Sequence, residues 1–154
     1  MESLKKEGRY ERIYQQIADL MHKSSDPSAR MCTVTAILYH KMPDFFWTGF
    51  YLLTPDKRLV VRTYQGPVAC MELKKDTGVC WAGINQQKTI IVPDVEKFPD
   101  HIACDSRSKS EIVVPVKNPQ GQIVGVLDID SDKLNTFDET DAHELEKIVK
   151  LIYI

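Results

Sequence analysis

Three cysteines, a histidine and three carboxylates carry the chemistry that this chain can do. Cys70, Cys80 and Cys104 are spaced 10 and 24 residues apart. Cys70 ends a Gly-Pro loop that begins at Gln65, and Cys80 opens a short helix running to about Gln87. Cys104 lies near the middle of 95–110, a long stretch without periodicity, and loops of that length in compact domains are usually functional or disordered. A nucleophilic thiol needs exposure and nearby positive charge to lower its pKa. His101, Arg107 and Lys109 are the residues at hand for that. A lone cysteine is more often packed and inert, so the case for reactivity depends on its surroundings. No Cys-x-x-Cys occurs, which argues against a structural zinc site, although His101 and Cys104 with the other two thiols keep one conceivable.

The surroundings come from a hairpin. Asn118-Pro119-Gln120-Gly121 is a strong turn signal between strands over 111–117 and 122–130. A four-residue turn pairs Lys117 with Gln122 and Glu111 with Asp128. Strand side chains alternate, so Asp130 points to the same side as Asp128. Ile112, Val114 and Val116, with Ile123, Gly125, Leu127 and Ile129, fill the opposite face as core. Three acids thus gather at the end of the hairpin far from its turn, where Cys104 arrives seven residues before Glu111. Opposed like charges destabilise a sheet, so one acid should keep a proton near neutral pH, its pKa raised by its neighbours. A protonated carboxyl beside a thiolate is equipped to attack an electrophile and protonate the oxygen that leaves. The same acids could instead form a water-solvated edge or a Mg²⁺ or Ca²⁺ site.

The elements that must hold these groups are legible in the periodicity. Tyr10, Ile13, Ile17, Leu20 and Met21 recur at helical spacing. Asp26 and Pro27 open a second helix that buries Met31, Val34, Ile37 and Leu38; Cys32 near that face reads as packing or surface. A strand over 45–53 is apolar on both faces and so central in its sheet. One of those faces presents Trp47, Gly49 and Tyr51, where the glycine could floor a small aromatic pocket. A turn at 54–57 leads to a partner strand, and 89–92 is a further strand. Asp138 caps a closing helix whose stripe is Leu145, Ile148, Val149 and Ile152, with Phe137 and Ala142 as its staple. This order predicts one α+β domain: two N-terminal helices over 8–41, an antiparallel sheet with loops over 45–131, and a C-terminal helix over 138–153.

Composition excludes several classes. With 43% apolar and 27% charged residues and a net charge of −2, the chain is globular and lacks the basic excess of a nucleic-acid binder. No run of about 18 apolar residues exists to span a membrane, and the N-terminus lacks the apolar run of a secretory signal. Four cysteines in such a chain imply reduced thiols and a cytoplasmic location.

Taken together, the motifs Trp47-Thr48-Gly49-Phe50-Tyr51, Gln65-Gly66-Pro67-Val68-Ala69-Cys70, Gly78-Val79-Cys80, Val92-Pro93-Asp94, His101-Ile102-Ala103-Cys104-Asp105, Ser110-Glu111-Ile112-Val113 and Gly125-Val126-Leu127-Asp128-Ile129-Asp130 resemble the free methionine-R-sulfoxide reductases, which are GAF-domain enzymes. The likeness runs in register from Trp47 to the last helix. It implies a GAF-type sheet with helices on one face and the active-site loops on the other. It also implies that Cys104 is the nucleophile that becomes a sulfenic acid, that Cys70 closes a disulfide with it, and that Cys80 is an alternative resolving thiol. Glu111, Asp128 and Asp130 match the acids that contact the sulfoxide oxygen, and Trp47 matches the aromatic that holds the substrate methyl, with Tyr51 beside it. The implied substrate is free methionine sulfoxide, the implied reductant thioredoxin or a similar dithiol, and no metal or organic cofactor is called for. The sequence leaves open whether the chain forms a homodimer. Trp81 departs from the small residue usual after Gly-Val-Cys and sets a bulky ring next to Cys80. The rival readings are a non-catalytic GAF sensor of a small ligand and a peroxide-sensing redox switch; a sensor has no need for three loop cysteines beside a carboxylate cluster.

Overall fold

The computed structural model describes residues 2–101 and 104–154; Ile102 and Ala103 of the His101–Ser106 motif lie outside them. Ten principal elements follow in order: α1 (Glu2–Met21), α2 (Pro27–Lys41), β1 (Trp47–Leu53), β2 (Leu59–Gln65), β3 (Glu72–Leu73), α3 (Gly78–Gln86), β4 (Ile90–Val92), β5 (Ser110–Lys117), β6 (Ile123–Ser131) and α4 (Glu139–Lys150). Short 3₁₀ turns at Val95–Lys97 and Leu151–Tyr153 complete them. The strands form one antiparallel sheet in the order β3-β2-β1-β6-β5-β4.

Alternation along the central strands divides the interior into two layers. Phe50, Ile112, Val114, Val116, Leu127 and Ile129 face the apolar stripes of α1, α2 and α4. Trp47, Tyr51, Val113 and Val126 face the other way, onto α3 and the loops that follow it. Both faces of β1 are therefore covered, which is why this strand reads as a nearly continuous apolar run rather than as a half-polar one. Burying two layers removes apolar surface from water at roughly 25 cal/mol per Å², the main favourable contribution to folding.

Polar contacts fix the helical layer. Asp26 accepts from the Ser28 N–H at 2.9 Å and starts α2, with Pro27 in the first turn. Buried Arg30 donates to the carbonyls of Met21, Ser24, Ile152 and Ile154, gathering the end of α1 and the C-terminal turn on one guanidinium. Asp138 and Asp141 form a capping box at the start of α4. Asp141 also accepts from Tyr10 Oη at 2.6 Å and Lys6 Nζ at 2.7 Å, so the cap that begins α4 also anchors α1. The first helix accordingly starts at Glu2, ahead of the position 8 expected from its apolar stripe.

The β5–β6 hairpin differs from the expected register in one respect. Asn118 N–H donates to the Gln122 carbonyl, and the Asn118 side chain accepts from the Gln120 and Gln122 N–H groups, so five residues rather than four make the turn. Lys117 pairs with Ile123, and a bulge then takes up one more residue, so Val116 pairs with Gly125. The displacement totals two residues. Glu111 therefore faces Asp130, and Val113 faces Asp128. Because strand side chains repeat every two residues, an even shift keeps every residue on its expected face.

Candidate active site

The acids stand on the central strands of the sheet. On β6, Asp128 and Asp130 alternate with core residues. Glu111 on β5 lies across from Asp130, while β1 places Trp47 opposite Asp130 and Gly49 opposite Asp128 on the other side. Glu111 and Asp128 are buried, at 6% and 5% exposure, and Asp130 is half-buried. Asp128 Oδ1 is buried with no hydrogen-bond partner among the described residues, an arrangement that a folded chain rarely leaves without a purpose.

Burial makes these groups hold protons. Glu111 is pushed up to about 8, first by loss of solvation and next by the negative charge of Asp130. Asp128 rises well above the ordinary carboxylate range, again by burial and then by the charge of Glu111; Asp130 does so by burial and the charge of Asp128. The expectation of a protonated acid holds, but desolvation is the larger cause and like-charge repulsion the second.

Gly49 opens room beside Asp128. A Cβ at that position would collide with the Tyr64 Cβ and come within 2.7 Å of Trp47 Cη2, so the indole lies folded over the bare glycine. Trp47 stacks on Tyr64 with ring centroids 5.3 Å apart and on Tyr51 at 5.8 Å. Its Nε1–H donates to the Pro67 carbonyl at 3.0 Å, and the Tyr51 hydroxyl donates to the Cys70 carbonyl at the same distance. The aromatic pair thus wires the floor of the site to the loop that carries Cys70. Tyr64 is the residue here that sequence reasoning missed. A bulge between Gly49 and Tyr51 brings it opposite Gly49, and nothing in the turn residues announces that bulge.

The thiols divide into two kinds. Cys70 and Cys104 are joined by a disulfide with Cα atoms 5.4 Å apart, Cys104 being exposed and Cys70 half-buried. Cys80, on the first turns of α3, is buried beneath them, and its thiol is pushed up by burial first and then by the nearby charge of Asp128. Trp81 is buried in the second core layer and donates its Nε1–H to the Leu73 carbonyl at 3.2 Å, fastening α3 to β3. Cys32 is exposed on α2.

The basic groups are placed differently from one another. His101 Nε2 stands 3.7 Å from Glu111 Oε1, and burial lowers its basicity. Arg107 forms a two-pronged pair with Asp105 and lies over the Phe46 ring, its centroid 5.0 Å from the guanidinium carbon. That pairing, chiefly through the hydrogen bond, holds Asp105 down at about 2. A cavity of about 50 Å³ lies among Trp47, Tyr51, Cys80, Glu111, Asp128 and Asp130, with Cys104 and His101 on its rim.

This fold and this site define a GAF domain: the family model described as "GAF domain" matches residues 25–154. The chain is 51% identical over 147 residues to "GAF domain-containing protein A" of Dictyostelium discoideum, covering 96% of this chain and 92% of that one. It is 42% identical over 123 residues to the "Free methionine-R-sulfoxide reductase" of Escherichia coli, covering 79% of this chain and 72% of the other. The solved free methionine-R-sulfoxide reductase of Neisseria meningitidis in complex with its substrate superposes with a TM-score of 0.89 at 39% identity, over 94% of this chain and 86% of that one. The chain belongs to the free methionine-R-sulfoxide reductases, the oxidoreductases of the GAF family. Among the described residues, no helix is long and apolar enough to cross a membrane.

Proposed function

We propose that this protein reduces free L-methionine (R)-sulfoxide to methionine, using Cys104 as nucleophile and a dithiol such as thioredoxin as final reductant. The observation that carries this reading is a Cys70–Cys104 disulfide set over three proton-holding carboxyls, one of them with a buried oxygen that has no hydrogen-bond partner among the described residues. In the reduced enzyme the Cys104 thiolate attacks the sulfoxide sulfur while Trp47 holds the S-methyl group. A carboxyl of the Glu111, Asp128 and Asp130 set donates to the sulfoxide oxygen and gives it a proton. The hydroxyl then passes from the methionine sulfur to Cys104 Sγ: the methionine S–O bond and the new Sγ–S bond break, an Sγ–O bond forms, methionine leaves with the electron pair, and Cys104 is left as a sulfenic acid. The Cys70 thiolate then attacks that sulfur and hydroxide departs, protonated to water. The resulting disulfide is reduced by the external dithiol, and Cys80 takes the resolving role when Cys70 is missing. These steps need no metal or organic cofactor.

The test is methionine formation from the separate R and S epimers of free methionine sulfoxide, with dithiothreitol as reductant. Turnover of the R epimer alone is expected. Failure of folded, reduced protein to turn over either epimer would overturn the reading in favour of a ligand-binding sensor.

A further inference from the structure

The floor of the cavity holds a second, separable arrangement. Cys80 Sγ and one carboxylate oxygen each from Glu111 and Asp128 lie within 4.8 Å of one another, and all three residues are buried. Beside them, Asp128 Oδ1 is buried and makes no hydrogen bond among the described residues. His101 Nε2 approaches the same Glu111 carboxylate from the rim at 3.7 Å. One sulfur, two carboxylates and an imidazole form a donor set that excludes Mg²⁺ and Ca²⁺, which take oxygen ligands, and suits zinc. Tetrahedral zinc, with bonds of roughly 2.0–2.3 Å, places its donors about 3–4 Å apart, and the donor atoms of Cys80, Glu111 and Asp128 already lie within 4.8 Å of one another.

We propose that Cys80, Glu111 and Asp128 form a binding site for a single zinc ion, with His101 as the fourth donor. Binding sends the thiol proton and the two carboxyl protons to solvent, and the dication offsets two of the three negative charges left behind. The cavity beneath the disulfide, about 50 Å³, has room for an ion and a water. An ion there occupies the floor from which the proposed reaction draws its proton. That consequence rests on the functional reading above, whereas the binding itself does not.

The test uses the disulfide-linked protein carrying Cys32→Ser, in which Cys80 is the one remaining thiol of the four cysteines. Co²⁺ is titrated as the probe, and thiolate-to-cobalt charge transfer is followed in the near ultraviolet. The expected result is a band that saturates at one equivalent, is bleached by Zn²⁺, disappears in Cys80→Ala, and needs at least tenfold more Co²⁺ in Asp128→Asn. Absence of the band in the Cys32→Ser protein would overturn the proposal. So would a band that survives in Cys80→Ala, or one that Asp128→Asn leaves unchanged while far-ultraviolet circular dichroism shows the fold intact. None of these readings depends on turnover, so a failed activity assay and a failed metal site remain distinguishable.

Discussion

A carboxyl that keeps its proton to about pH 8 is a liability and a tool at once, and Glu111 is the residue where both can be measured. Its ordinary value is 4.5. Between that value and about 8 the folded protein binds more protons than the unfolded chain, so stability is fully present below the lower value and is lost as pH rises through the upper. Glu111→Gln should therefore flatten the fall of Tm across this window and leave the variant more stable at pH 8, by an amount on the order of a few kcal/mol. Activity should move the opposite way. If the proton given to the sulfoxide oxygen comes from this set, turnover should fall as pH rises through about 8, and Glu111→Gln should lower it at all pH values by 10²-fold or more, on the order of a general-acid contribution. A variant that kept wild-type turnover would move the proton to Asp128 or Asp130. The thiols make a sharper pair of predictions. Cys104→Ser should abolish methionine formation. Cys70→Ser should release one equivalent of methionine in a single round and then turn over slowly; normal steady-state turnover would assign the resolving role to Cys80.

Elements bring these residues together by parity more than by position. Gly49 shows how tight the arrangement is. Gly49→Ala drives a methyl into the Tyr64 Cβ and the Trp47 ring, and should cost about 1–3 kcal/mol as overpacking does, read as a lowered urea midpoint. Most of this was legible in the sequence. The apolar stripes of the helices and the shared face of Glu111, Asp128 and Asp130 follow from periods of 3.6 and 2, and residue type marks Asp26 and Asp138 as caps. What the chain did not disclose were the bulges, at Val116/Lys117 and at Gly49/Tyr51. A bulge depends on how two strands twist against each other, and no residue type marks it reliably. The two-residue shift in the hairpin leaves every acid on its face because it is even; an odd slip would turn the acids into the helical layer. The partner of His101 was illegible for another reason. The sequence left open which of His101, Arg107 and Lys109 stands by Cys104, and it held no hint that the imidazole lies 3.7 Å from Glu111 on a rim it shares with Cys104.

At the scale of the whole molecule the sheet separates two jobs. The layer of α1, α2 and α4 is held by hydrogen-bonded polar pins such as Arg30 and Asp141, and Asp141 is the one that ties α1 to the cap of α4. Asp141→Ala strands Tyr10 and Lys6, and should cost on the order of 3–5 kcal/mol, as removing one partner of a buried pair does. Urea denaturation should show the loss, while turnover well below the melting temperature stays within about twofold of wild type. The layer on the other side is held by its aromatic rings. The chain has two tryptophans, and each ties its indole N–H to a carbonyl flanking Cys70, Trp47 to Pro67 and Trp81 to Leu73. Opening the disulfide removes the covalent hold on the segment between those two anchors and leaves it to hydrogen bonds from Tyr51 to the Cys70 carbonyl and from Val61 to the Met71 carbonyl. The redox state of the enzyme is therefore written into its intrinsic fluorescence. Reduction should change the emission, Trp47→Phe should remove most of that change, and successive oxidation and reduction could be watched as an optical signal without any added dye.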